Sequence, residues 1–238
     1  MIIAVPSKGR AGMVRTQTVL SSCWVYVPAL EAEAYRTAGA RNVIPVPDEI
    51  LGITKTRNWI LRHAKDRHVV MIDDDVRSCG WLKLLERASM KKGLAETEWL
   101  AEFRKIFDVT EAVGYRIWGV STDGAPHTCY PYYPFRWRSY VTASCMGIIN
   151  DGRTYFDETY PVKEDYELCC RCIVEDGGIV AAQYLFWVNN HWHDDGGCKD
   201  YRTQAMEAEC IARLRRQYPG LVRVGLKTAS EWSIEIAV

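Results

Sequence analysis

Residues 73 to 75 are three consecutive aspartates that close an apolar run, "HVVMIDDDVRSCG". Like charges packed this tightly repel, so water or a cation must offset them. In an extended chain end, Asp73 and Asp75 project to one side and Asp74 to the other. Two carboxylates on one side suit a hard divalent cation, Mn2+ or Mg2+, that also holds phosphate oxygens. A solvated acidic loop is the competing reading of the triplet taken alone.

Two polar segments carry cations that could serve the same anion. "PSKGR" at 6 to 10 brings Ser7, Lys8 and Arg10 after the first apolar run. "GITKTRN" at 52 to 58 brings Lys55 and Arg57 at the start of a helical pattern just before the aspartates. Cations and helix N-termini both favour pyrophosphate, although either segment alone also reads as a solvated basic face. Farther on, "YPYYPFRWRSY" interleaves Tyr130, Tyr132, Tyr133, Phe135, Trp137 and Tyr140 with Arg136 and Arg138. Aromatics stack on bases or sugars and arginines hold phosphates, while any one ring can equally pack on the core. Tyr132, Tyr133, Arg136, Trp137 and Arg138 are the candidates for contact with an acceptor.

The elements that must position these residues follow from periodicity. "IIAVPS", "CWVYVPA", "NVIPVPD" and "HVVMIDDD" read as strands, and "ALEAEAYRTAG" and "ITKTRNWILRHAKD" as helices. Pro45 and Pro47 make a central sheet position uncomfortable for the third strand. Strands alternating with helices imply βαβ units and a parallel sheet, whose ligands sit at the carboxyl ends of the strands. The aspartates fall at such an end. Beyond Gly80 the sequence predicts two helices over 81 to 114, a strand at "IWGVST", an irregular aromatic stretch and a strand at "VTASCMGIIN". A helix over "VKEDYELCCRCIVEDGG", a long strand "IVAAQYLFWVNN", a helix from "YRTQAMEAECIARLRRQYPG" and a last strand "LVRVGL" complete the pattern. No repeat or linker divides the 238 residues, which predicts one domain over 1–238.

Bulk properties narrow the partners. Lys plus Arg and Asp plus Glu number 30 each, so any nucleic-acid contact is confined to a local groove. No segment has the length of a membrane span, and the N-terminus lacks a signal-peptide pattern. Nine cysteines at irregular spacing read as reduced thiols in a cytoplasm, and "CCRC" lacks the second pair of a structural zinc site.

The order of parts resembles the GT-A glycosyltransferases. "SKGR" follows strand one, "TRN" precedes the acidic strand, "DDD" ends it, and "ED" stands at 164 and 165. The aromatic insertion before "SCMGIIN" and the "DDGGCKDYR" ending are similar to the TET-associated glycosyltransferase family, inferred to glycosylate hydroxymethylated pyrimidines in DNA, as in phages. The resemblance implies an α/β, Rossmann-like, mostly parallel sheet flanked by helices, with residues 1–80 binding a nucleotide-sugar, expected to be UDP-linked. It implies an acceptor and catalytic half over 115–200 and a C-terminal helix and strand over 201–238. It places Asp73 and Asp75 on the divalent metal, Asp74 near the ribose or sugar, and Asp165, with Glu164 as alternative, as the base. His191 or His193 completes the metal shell. The chemistry agrees, since transfer needs a stabilised diphosphate leaving group and a base for the acceptor hydroxyl. A helix-capping role would also account for Asp165.

The expectation is a metal-dependent glycosyltransferase acting on hydroxymethylcytosine-like DNA. The rivals are a transferase with a glycan or small-molecule acceptor, a sugar nucleotidyltransferase, and a non-enzymatic nucleic-acid-binding module.

Overall fold

The computed structural model describes residues 1–81, 94–121, 133–189, 202–224 and 234–236. Strands β1 (Ile2–Pro6), β2 (Trp24–Pro28), β3 (Val43–Val46) and β4 (His68–Ile72) are linked through helices α1 (Thr16–Val19), α2 (Ala32–Thr37) and α3 (Ile53–His63). They lie in the order β3-β2-β1-β4, each pair parallel. β3 therefore occupies a sheet edge, where Pro45 withholds no needed donor from a second neighbour.

The rest of the sheet departs from simple βαβ winding. β8 (Cys145–Ile149) runs antiparallel to β4, with Ile72 opposite Cys145. β6 (Ile117–Ser121) and β9 (Val180–Val188) follow, parallel to each other, and β5 (Ser78–Trp81) closes the edge antiparallel to β9. The two-residue β7 (Phe135–Arg136) also pairs with β9. The direction of β8, β5 and β7 opposes that of the six remaining strands, so the sheet is mixed but mostly parallel. Reversal at β8 brings the residues before its start, rather than those after its end, to the edge where the aspartates lie. β10 (Val222–Val224) and β11 (Ile234–Ile236) form a separate small ribbon.

Alternation along β4 shows how the layers arise. Val69 and Met71 face a core with Ile60 and Leu61 of α3, residues of α5 (Glu164–Asp176) and Leu214 of α6 (Gln204–Gln217). Val70 and Ile72 face the opposite core, with Phe103, Ile106 and Phe107 of α4 (Glu96–Ala112). Both faces are covered, which explains the unbroken apolar run ahead of the acidic triplet. Gly147 lets β8 pass Trp118, since a Cβ there would lie 1.9 Å from the indole Cε2.

The expected helices mostly appear, including α5 with Gly177 at φ 87° after its end. Trp81 is a correction, because it ends β5 instead of opening a helix. The predicted helix beyond it falls on residues 82–93, outside the described residues. Strands β5 and β11 escaped the sequence reading, being short and without clean alternation. The irregular stretch contains β7, whose pairing with β9 is a tertiary event.

Candidate active site

The chain leaves β4 after Ile72 and turns at Asp74 and Asp75. The extended end assumed for the i, i+2 argument is therefore absent, and the three carboxylates meet three environments. A buried strut shapes the turn. Thr16 donates its hydroxyl to the Asp73 carbonyl at 2.5 Å and accepts the Val76 N–H at 3.1 Å. Its own N–H donates to the Asp74 carbonyl at 3.2 Å, and the residue is wholly buried. From the other side, Asp73 N–H donates to the Ser144 carbonyl, at 3.1 Å.

Asp74 is 4% exposed and faces the loop after β1. Ser7 donates to its Oδ2 at 2.5 Å, and Arg10 Nη1 reaches Oδ1 at 2.6 Å. With the Ser7 proton committed, the Tyr35 hydroxyl 2.8 Å away donates to Ser7 Oγ and accepts the Arg10 N–H at 3.0 Å. Burial pushes the Asp74 carboxyl above its ordinary range, against the pull of Ser7 and Arg10. Tyr35 gave no sequence signal, since it lies on α2 in a run of helix formers. Lys8 and Lys55 are exposed beside this region of the sequence, at the loop after β1 and the start of α3.

Asp73 turns toward α3, where Arg57 Nη2 lies 3.5 Å from its Oδ1. Arg57 Nη1 contacts Glu164 Oε1, and its guanidinium carbon sits 5.6 Å from the centre of the Phe156 ring. Arg57 and Glu164 are 5% and 6% exposed, so this cation is placed as an internal bridge, whereas the sequence reading had it reach a diphosphate. Burial, helped by Asp165 and Asp73, holds Glu164 above the usual carboxylate range, with Arg57 opposing. The loop before α5 is docked on α3 by Thr54, which donates to the Tyr160 carbonyl at 2.8 Å. Asn58 adds bonds to Phe156 O and N, each at 2.8 Å.

Asp75 is 6% exposed and its Oδ1 has no hydrogen-bond partner among the described residues. A buried carboxylate oxygen without a donor is costly unless a cation meets it, so the residue fits a metal ligand. Among the described residues no three His, Cys, Asp or Glu side chains converge as a metal cluster. The expected histidines, His191 and His193, lie outside the described residues. The end of β9 comes close, because Arg77 N–H donates to the Val188 carbonyl at 2.8 Å, two residues after Asp75.

Asp165 is the second residue of α5 and is partly exposed. Its Oδ2 accepts the Tyr140 hydroxyl at 2.6 Å and the Ala143 N–H at 3.3 Å, and its Oδ1 accepts the Tyr166 N–H at 2.9 Å. Tyr133, Arg136, Trp137 and Arg138 are exposed along the β7 segment, and Tyr132 lies outside the described residues. Trp137 leans on Phe135 and Tyr115 at centroid distances of 5.9 and 6.1 Å.

Parallel β3-β2-β1-β4 strands with polar residues on the loop after β1, an acidic turn after β4 and a carboxylate pair at the start of α5 have the layout of a GT-A fold. Its solved neighbours are GT-A glycosyltransferases. Glucosyl-3-phosphoglycerate synthase from Mycobacterium tuberculosis, solved with Mn2+, UDP-glucose and glycerol 3-phosphate, matches with TM-score 0.53 and 12% identity. The match covers 98% of this chain and 88% of that one. S. aureus TarS 1–349 with UDP-GlcNAc matches at 0.51 and 12% identity, over 90% of this chain and 67% of that one. The mannosyltransferase PcManGT from Pyrobaculum calidifontis, solved with GDP-Man and Mn2+, matches at 0.50 and 13% identity. That match covers 91% of this chain and 61% of the enzyme. The chain spans less than two thirds of the length of PcManGT, and 60% of another TarS 1–349 structure. No curated protein matches it in sequence.

The chain belongs to the TET-Associated Glycosyltransferase family, which it matches over residues 1–197. The family is one of glycosyltransferases, and the fold is shared with structures solved with UDP-GlcNAc or with Mn2+ and UDP-glucose. Among the described residues no helix is long and apolar enough to cross a membrane.

Proposed function

We propose that this chain transfers a sugar from a UDP-linked donor to the hydroxyl of a hydroxymethylated pyrimidine in DNA, with a divalent cation at the acidic turn. The observation that carries the reading is the Arg57 bridge, which holds the Asp73 end of β4 against the Glu164-Asp165 start of α5. A donor held at one and a base at the other then share a single cleft.

Residues 1–80 form the donor half and 115–200 the acceptor half, with 201–238 supporting them. Ser7, Arg10 and Asp74 form the wall for the nucleoside, while Lys8 and Lys55, both exposed, reach toward the diphosphate. Arg57 contributes to that field from behind, through its contact with Asp73. Asp75, with Asp73 and His191 or His193, holds Mn2+ or Mg2+, and the unpartnered Asp75 Oδ1 supports that role. The cation, when bound, offsets the charge of the departing diphosphate. Asp165 takes the proton of the acceptor hydroxyl, leaving Glu164 committed to Arg57. Tyr132, Tyr133, Trp137, Arg136 and Arg138 receive the DNA, with aromatic faces for a base lifted out of the duplex. Among the described residues seven cysteines are buried and unbridged, which supports work in a reducing cytoplasm.

The test is incubation of the protein with radiolabelled UDP-sugars, Mn2+ and duplex DNA bearing 5-hydroxymethylcytosine or unmodified cytosine. Label on the modified duplex alone is the expected result. Transfer to glycans but not to DNA would overturn the acceptor, and the absence of both donor hydrolysis and nucleotide binding would overturn the activity.

A further inference from the structure

The surroundings of Asp165 specify more than its identity. A carboxylate offers about four lone-pair directions, two on each oxygen. Tyr140 and Ala143 occupy both on Oδ2, and the Tyr166 N–H occupies one on Oδ1. Asp165 therefore keeps one open direction, on Oδ1, among the described residues. The Tyr140 ring is itself clamped. It stacks on Tyr166 with centroids 3.9 Å apart and planes 13° apart. Lys163 Nζ lies 5.0 Å above the Tyr166 ring and 3.3 Å from Glu207, which is 2% exposed on α6. Lys163 adopts φ 63°, a left-handed conformation a lysine seldom takes, immediately before Glu164 and Asp165.

We infer that Tyr140 is a positioning residue, locking Asp165 through Oδ2 so that Oδ1 alone faces the acceptor hydroxyl. This rests on Asp165 being the base. In the step, the acceptor O–H proton passes to Oδ1. The acceptor oxygen bonds the sugar's anomeric carbon, and the bond to the diphosphate breaks with its electron pair leaving on the diphosphate oxygen. Burial, with the nearby charge of Asp165, keeps the Tyr140 phenol protonated far above neutrality, so its proton remains available to Oδ2. A shift of about 1 Å in a reacting group costs on the order of a hundredfold in rate, which sets the scale for losing this tie.

The experiment compares the wild type, Tyr140→Phe and Asp165→Asn. The probes are UDP-glucose with Mn2+ and a duplex containing 5-hydroxymethylcytosine, read as transfer and, without DNA, as donor hydrolysis. Crystal structures of wild type and Tyr140→Phe supply a readout independent of turnover. Tyr140→Phe keeps the ring stack, so the expected result is a roughly tenfold to hundredfold fall in kcat, at unchanged donor KM and with the fold retained. Asp165 should then leave its wild-type rotamer in the crystal. Full kcat in Tyr140→Phe, or an unmoved Asp165 carboxylate, overturns the inference while leaving the base assignment in place. Full transfer by Asp165→Asn overturns both, and is distinguishable because it removes the base itself.

Discussion

Arg57 and Glu164, 107 residues apart in the chain, meet as a buried ion pair between α3 and α5. Removing one partner leaves the other buried without its counter-charge. Arg57→Met should cost about 3–5 kcal/mol in urea unfolding, whereas the double change Arg57→Met with Glu164→Leu should recover much of that loss. Equal destabilisation by the single and double variants would mean that the contact between α3 and α5 does not depend on this pair.

The two carboxylate roles separate in kinetics. Asp75→Asn should weaken Mn2+-dependent UDP binding by tenfold or more, as on the order of 10–100-fold follows from disturbing a metal shell. Asp165→Asn should bind UDP normally yet lose transfer by about 10²–10⁴-fold, the usual contribution of a positioned base. Calorimetry with UDP and Mn2+, repeated in EDTA, separates these cases. Binding unaffected by EDTA would remove the metal from the scheme.

Thr16 supports the acidic turn without touching a ligand. Thr16→Val keeps the shape but withdraws the partner of the Val76 N–H and the Asp73 carbonyl. An unfolding cost of about 1–3 kcal/mol is expected, the penalty of orphaned buried groups. Weaker Mn2+-dependent UDP binding should accompany it, and unaltered binding would show that Asp75 is placed by other contacts.

Acid should loosen the segment that carries Thr16. Glu96 accepts the Ser21 hydroxyl at 2.7 Å and the Ser22 N–H at 2.9 Å, joining α4 to the turn after α1. Burial raises its pKa, but the bonds from Ser22 and Ser21 outweigh burial and bring it to about 2, below the ordinary 4.5. The folded state thus binds its proton less readily than the unfolded chain, so this stabilisation is present above pH 4.5 and is lost as pH falls through about 2. Thermal midpoints measured across that window should fall less in Glu96→Gln than in the wild type.

If DNA is the acceptor, the exposed Arg136 and Arg138 contact its phosphates. Each alanine substitution should reduce the slope of log affinity against log salt by roughly 1, with affinity falling similarly on every sequence. An unchanged slope in the double variant would move the DNA path elsewhere.

Much of this arrangement was legible in the residues. The alternating strands and helices of the first third, the prolines that hold β3 at an edge and the aspartates at the carboxyl end of β4 all follow from local periodicity. So did the placement of Glu164 and Asp165 at a helix start. Such features depend on neighbours a few residues apart, which the sequence displays directly. The direction of β8 was not legible, because an apolar run buried on both faces reads the same either way. Nor were the partners of the site residues. Arg57 seemed a cation for phosphate until folding set it between Asp73 and Glu164, and Tyr140 seemed a stacking ring until it met Asp165. These pairings join residues 16, 107 and 25 positions apart. Residue types made the chemistry available, but low-dielectric contacts between distant segments decided which charges are spent inside the protein and which remain for a substrate.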